Sequence, residues 1–218
     1  MPFGFLKRRK AGPAPSGAER PADAPRAAAR QGVEFEGLTE DWRLRGFMEI
    51  TGRMSDALNK REAIAIADVA WGPPDGSAPL EPAPGLRSVD PYDLILVVAG
   101  AGSMPPMSEA EQSAHKVHKV NYDVALEVPP YRVVGTVHLY PGAEPDRLLD
   151  RATEMFVAVT DAVAMMGDTR VTDPDHDVIL VNRFYLRGVT QVDKRTGERH
   201  QPLPGGPLGG VSWQDRSR

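Results

Sequence analysis

The chain has 218 residues, a formal net charge of −4, 41% hydrophobic residues, 21 Gly, 21 Pro and no Cys. The missing cysteines exclude disulfides, thiolate catalysis and thiolate-bound zinc, and they are compatible with a reducing cytoplasm. No apolar run approaches the roughly 20 residues that span a bilayer, and no apolar stretch of signal-peptide kind follows the first basic residues.

Residues 1–32 read as a tail. They carry seven Lys/Arg against two Asp/Glu, a net of +5, which leaves −9 for the remainder. Their Ala, Pro, Gly and Arg supply too few large apolar groups to offset ordering entropy. Phe3, Phe5 and Leu6 stand beside Lys7, Arg8, Arg9 and Lys10. Aromatics of this kind enter the headgroup region while each cation adds about 1 kcal/mol near an anionic surface. The cluster is therefore a candidate contact for anionic lipid at the inner face of the membrane, or for another polyanion. A solubilising tail is the competing reading. The acidic remainder argues against a folded surface built for nucleic acid.

Beyond the tail, residues 43–50 alternate with the period of a half-buried strand. A short helix follows near Ser55, with Met54, Ala57 and Leu58 on its apolar side. Residues 64–70 and 94–98 read as strands, and the proline-rich stretch 72–85 between them as a loop. Residues 108–114 suggest a helical turn before a strand over 117–128. Residues 132–140 alternate again, a short helix is expected near Pro145-Asp146, and residues 156–163 and 178–181 complete the strands. The Gly/Pro-rich end, 194–218, reads as a second tail.

Several of these segments resemble one another in the same order. Trp42-Arg43-Leu44-Arg45-Gly46 matches Tyr131-Arg132-Val133-Val134-Gly135. Asp56 through Leu58 matches Asp146 through Leu148, and Ile64 through Asp68 matches Val157 through Asp161. Asp93 through Val97 matches Asp177 through Val181, and Val33 through Glu36 matches Val120 through Asp123. A fixed order of related blocks points to internal duplication. The expected architecture is mainly β with short helices, in two β-rich repeats, 33–116 and 117–193, related by a pseudo-twofold axis. Each has the size of a small domain, roughly 80 to 90 residues.

Gly135-Thr136-Val137-His138-Leu139, then Phe156 through Ala162, then Tyr185-Leu186-Arg187-Gly188-Val189 resembles the strand order and spacing of the Sm-like β-barrel family. Arg53-Met54-Ser55-Asp56-Ala57-Leu58-Asn59 is similar to an Arg-x-Ser-Asp-x-Leu-Asn pattern of a small bacterial domain family. The resemblance implies tandem small barrels. It also implies an RNA-contacting turn at Arg187-Gly188, with Arg183 and Tyr185 beside it. The Asn that the Sm-like family uses with this turn is Phe156 in one copy and Ala63 in the other. Ala101-Gly102 stands where the first copy's Arg-Gly would sit. The barrel is implied, whereas RNA binding in the family's manner is not.

No other constellation carries chemistry. Gly100-Ala101-Gly102 follows an apolar strand, but Pro105-Pro106 replaces the helix whose amino terminus would hold a pyrophosphate. His115 and His118 would point to opposite faces of a strand. Asp173 through Asp177 lacks the spacing of a calcium loop. Asp68 and Asp161 read as structural, at strand ends where they accept turn amides. The expectation is a non-enzymatic interaction or scaffold module. It has no cofactor and no metal, and it has a protein partner, a basic tail touching anionic surfaces, and no sequence-specific nucleic acid. An RNA-associated Sm-like protein is the alternative.

Overall fold

A computed structural model describes residues 32–100, 103, 119–150, 154–172 and 178–193. Twelve strands join into one antiparallel sheet: β1 (Val33–Leu38), β2 (Arg43–Met48), β3 (Ile64–Gly72), β4 (Glu81–Pro82), β5 (Ser88–Val89), β6 (Leu96–Ala99), β7 (Val120–Val128), β8 (Tyr131–Leu139), β9 (Phe156–Met166), β10 (Thr169–Arg170), β11 (Val178–Asn182) and β12 (Gly188–Gln191). One short helix, α1 (Met54–Asn59), and 3-10 turns at Pro91–Asp93 and Pro145–Leu149 interrupt them. The tail residues Phe3 through Lys10, the helical turn expected at 108–114 and both histidines between them and β7 lie outside the described residues.

Along the sheet the order is β12-β7-β8-β9-β11-β6-β1-β2-β3-β4, with β10 and β5 attached to β9 and β3. The sheet is open among the described residues, so strand pairing closes no barrel. The central strands explain the most apolar stretches of the sequence. On β6, Leu96 and Val98 enter one core and Val97 the other; on β11, Ile179 and Val181 enter the first and Leu180 the second. Strands buried on both faces need continuous rather than alternating apolar residues.

The two halves use the same devices at matching places. Phe35 pairs with Gly46 on β1–β2, and Val124 with Gly135 on β7–β8. The β2–β3 register slips between Arg45 and Phe47, and the β8–β9 register between Val134 and Thr136, a bulge at the glycine each time. Across each bulge stands an aspartate with left-handed backbone, Asp68 (φ 50°) and Asp161 (φ 46°), a conformation Asp tolerates better than bulkier residues. A Cβ on Gly46 would lie 2.9 Å from the Ala67 carbonyl oxygen, and one on Gly135 2.8 Å from that of Thr160. The glycines are there because backbone passes too close for a side chain. Asp68 and Asp161 are thus mid-strand bulge residues and not the strand-end caps expected.

Three further expectations are corrected. The segments 93–97 and 177–181 do not occupy matching places, because β6 and β11 are neighbours that pair with each other, Val97 opposite Leu180. In the strand order β6 lies beside β1 as β12 lies beside β7, and the peptide N–H groups of Ile95 and Arg187 donate to the Leu38 and Glu127 carbonyls at 2.8 Å each. The counterpart of Arg187-Gly188 is therefore Ile95-Leu96. Val33 through Glu36 is likewise out of step by two residues, since Phe35 and Val124 face the two glycines. Finally, β6-β1-β2-β3 and β12-β7-β8-β9 run in the same sense across the sheet. A twofold axis would reverse one of them.

Candidate functional site

The hairpin from β1 to β2 turns on Thr39. Its hydroxyl accepts the Trp42 N–H at 2.9 Å, and its own N–H donates to the Trp42 carbonyl at 2.8 Å. This side-chain turn holds Glu40 and Asp41 at the tip and fixes where Trp42 leaves the strand. Leu44, two residues on, pairs with Trp71 of β3. The register therefore brings Trp71 beside Trp42, and the two indoles stack with centroids 4.7 Å apart and planes 18° from parallel. They remain 45% and 40% exposed. At the positions corresponding by register in the other half stand Tyr131 and Ala164, both buried. The core of this sheet therefore does not require two indoles in the open.

The indoles form one wall of a cleft of about 410 Å³ whose remaining lining includes Glu40, Asp41, Asp90, Asp93 and Tyr185. Among the described residues, no Lys, Arg or His lines it. Asp90 is held in place by accepting the Tyr92 N–H at 2.9 Å, which starts the 3-10 turn at Pro91–Asp93. Tyr185 reaches across from the second half and donates its hydroxyl to the Tyr92 carbonyl at 3.0 Å. Burial, then the charges of Asp93 and Glu40, push the Tyr185 phenol above its ordinary pKa. Tyr131 anchors the other side, its buried hydroxyl donating to the Thr39 carbonyl. Burial first, and the Asp41 charge second, raise its pKa strongly. Burial is the main cause of both shifts, and the nearby carboxylates add to it.

The residues singled out for RNA contact do different work. Arg183 is only 6% exposed. Its Nε donates to the Leu148 carbonyl at 2.8 Å, and its terminal nitrogens donate to those of Arg147 at 2.8 Å and Glu154 at 3.4 Å. Two of these carbonyls, those of Arg147 and Leu148, belong to the 3-10 turn at Pro145–Leu149, which the rigid planar donor fork ties to the end of β11. Burial lowers its pKa, partly offset by Asp150 and Glu154. Tyr185 belongs to the cleft described above. Arg187 is exposed and Gly188 half-buried opposite Glu127. The Glu127 carboxylate, the natural partner for Arg187, is instead paired with Arg132 at 3.0 Å. Structure thus brings Arg183, Tyr185, Arg187 and Gly188 onto one turn without directing their polar groups to a common point.

One chain of polar side chains has the connectivity of a nucleophile, a base and an orienting group. The Thr160 hydroxyl lies 2.9 Å from His138 Nε2, and Asn121 Oδ1 lies 2.7 Å from His138 Nδ1. His138 and Asn121 are directly opposed on β7–β8 and both are exposed. Cross-strand register alone produces such a ladder, which stabilises the sheet. Among the described residues no group of three or more His, Asp or Glu is arranged to hold a metal ion, and no helix is long and apolar enough to cross a membrane.

The cleft was not legible in the sequence. Trp42 stood out as an aromatic repeated at Tyr131, whereas Trp71 fell between the strand expected at 64–70 and the loop expected at 72–85. Only the cross-strand register unites them with carboxylates from two further turns. Compared with protein-family models, curated proteins and solved structures, the chain matches none of them.

Proposed function

We propose that this protein is a non-enzymatic interaction module made of two Sm-like repeats joined head to tail. The repeated bulges, registers and capped turns support the duplication. So does the seam, where β11, which pairs with the bulged β9 of one half, meets β6, which flanks β1 of the other. A head-to-tail contact joins two different surfaces, so the halves need not be equal. Each has diverged, one carrying the exposed indole pair and the other a filled core.

The observation that carries the interaction reading is the Trp42–Trp71 pair, exposed at the mouth of a cleft to which both halves contribute. Tryptophan is enriched at the energetic centres of protein interfaces, where it supplies much contact area at little entropic cost. The basic tail adds a tether to anionic surfaces through Lys7 to Lys10, with Phe3, Phe5 and Leu6 entering the headgroups. The RNA reading receives less support, since the carbonyl-bound Arg183 and the acidic cleft both oppose phosphate.

Affinity capture of the full-length protein in its own host, with cross-links mapped on both partners, tests the module. A defined partner cross-linked to residues 33–193 is expected. Co-purifying nucleic acid, read from the absorbance ratio and lost on Arg187→Ala, would replace this reading with the RNA one. Vesicle sedimentation tests the tether separately. Binding to anionic vesicles should disappear when residues 1–10 are deleted, and at about 0.5 M salt, where the screening length is only a few ångströms.

A further inference from the structure

The indoles stack at 18° on one another, so they do not enclose a box. A quaternary ammonium is gripped by rings set around it; two nearly parallel rings leave an outer face and a shared edge instead. The group that continues such a stack is a flat cation. Guanidinium is planar, weakly hydrated and delocalised, and it lies on an indole while its edge N–H groups donate to carboxylates. Glu40, Asp41, Asp90 and Asp93 supply those carboxylates on two turns. All four are exposed, so no folding-related ion pairing inside a core accounts for them. Elsewhere in the same half the acid is neutralised internally: Glu36, 3% exposed, is held between Arg43 and Arg45. The cleft has no such counter-charge among the described residues of its lining.

We propose that the cleft docks an arginine-bearing segment of a partner protein. One guanidinium extends the Trp42–Trp71 stack, and neighbouring cations meet Glu40 and Asp41 of one turn and Asp90 and Asp93 of the other. This inference rests on the interaction-module reading and names the chemistry of its partner. The acids come from two separate turns lining the same cleft as the indoles, so the occupant is an extended chain with several cations and not a single amino acid. The sequence of the second half isolates the charge requirement. Asn182 holds the position corresponding to Asp90 and accepts the Phe184 N–H at 3.0 Å, as Asp90 accepts that of Tyr92. Asp90→Asn therefore keeps the turn and removes the charge.

The test uses the full-length protein and calorimetric titration with a blocked glycine–arginine peptide, its lysine counterpart and its citrulline counterpart. The arginine peptide is expected to bind, the lysine peptide more weakly and the neutral citrulline peptide not at all. Trp42→Ala and Trp71→Ala should each weaken the arginine peptide by about tenfold, the scale of a desolvated cation–π contact. The combined Glu40→Gln, Asp90→Asn, Asp93→Asn variant should weaken it further and flatten its salt dependence, with an unchanged thermal transition showing that the fold survives. Indifference of binding to both tryptophans and to the charge variant would overturn the proposal, as would equal affinity for the arginine and citrulline peptides. Free arginine binding as tightly as the peptide would also overturn it, by making this a small-molecule site. A mapped protein partner retained by all of these variants would sink the cleft while leaving the interaction module standing.

Discussion

The side chain of Asn59 completes a two-bond ring with the backbone of Phe156, accepting its N–H at 2.7 Å and donating to its carbonyl at 3.3 Å. Asn59 ends α1, whose Met54 and Leu58 are buried, and Phe156 begins β9. An amide side chain can satisfy one donor and one acceptor together, which neither a hydroxyl nor a carboxylate does in this geometry. The ring ties the helix of the first half to the sheet of the second.

Asn59→Ala leaves a buried backbone amide and carbonyl with one partner fewer. A loss of about 1–3 kcal/mol is expected, read as a lower denaturant midpoint with unchanged slope. Asn59→Asp should cost at least as much, because it keeps the acceptor, loses the donor and adds a charge beside Phe156. A loss below about 0.5 kcal/mol for both would show that the ring contributes little.

Glu36 lies 2.8 Å from Arg43 and 2.8 Å from Arg45, with its carboxylate almost wholly buried. Arg45 also donates through Nε at 2.9 Å, whereas the Arg43 contact is an ion pair without hydrogen-bond alignment. Removing the shared acid leaves the largely buried Arg43 without its partner while Arg45 can turn to solvent, so Glu36→Ala should destabilise by about 1–3 kcal/mol. Arg45→Ala should cost less, since the Arg45 side chain is 44% exposed and Arg43 stays to pair the acid. Chemical denaturation of the two variants checks the order, and a larger loss at Arg45 would reverse this account.

Gly46→Ala and Gly135→Ala should each cost about 1–3 kcal/mol, the usual range for forcing volume into a packed site. Gly135 should be the more sensitive, because its new methyl would meet Val159 Cγ1 at 2.7 Å as well as the Thr160 carbonyl. Thermal unfolding of the pair reads both. Tolerance at both positions would mean that the bulges relax without penalty.

Tyr131 makes stability fall in alkali. Its pKa is raised in the folded protein by burial and by Asp41, while in the unfolded chain it titrates near pH 10. Below about pH 10 both states hold the proton and the contribution is intact. Above it the unfolded chain releases the proton while the folded one keeps it, so stability drops with each further unit. Tyr131→Phe should therefore cost about 1 kcal/mol at neutral pH, for the lost hydrogen bond to Thr39, and make the alkaline decline shallower. Tyr185, also raised, leaves a residual slope. Denaturation midpoints between about pH 8 and pH 11 decide it, and identical slopes for variant and parent would refute the assignment to Tyr131.

Most of the β architecture was legible because it is local. Residues 132–140 alternate, and the structure places a strand at Tyr131–Leu139 with Tyr131, Val133 and Val137 buried. The apolar run at 94–98 likewise read as a strand, and the structure covers its residues on both faces. Gly46 and Gly135 announced themselves as paired positions, since a close backbone approach leaves a glycine in the sequence each time it occurs. The reason for the approach, a bulge opposite Asp68 and Asp161, involves strands about 20 residues apart and could not be read from either segment alone.

Sequence by itself determined the composition of the strands, the pairing of the two glycines and the acidic character of residues 33–218, because these follow from side-chain period and count. Tertiary structure decided the rest. It made β6 and β11 neighbours where local similarity had aligned them as equivalents, since both are apolar for the same reason and only the sheet order tells them apart. It took Arg183 out of solvent and gave it to three carbonyls. It set Trp42 against Trp71 among carboxylates drawn from two turns, a site whose parts are separated along the chain and meet only because hydrogen-bond register, which has no local signature, puts Leu44 opposite Trp71.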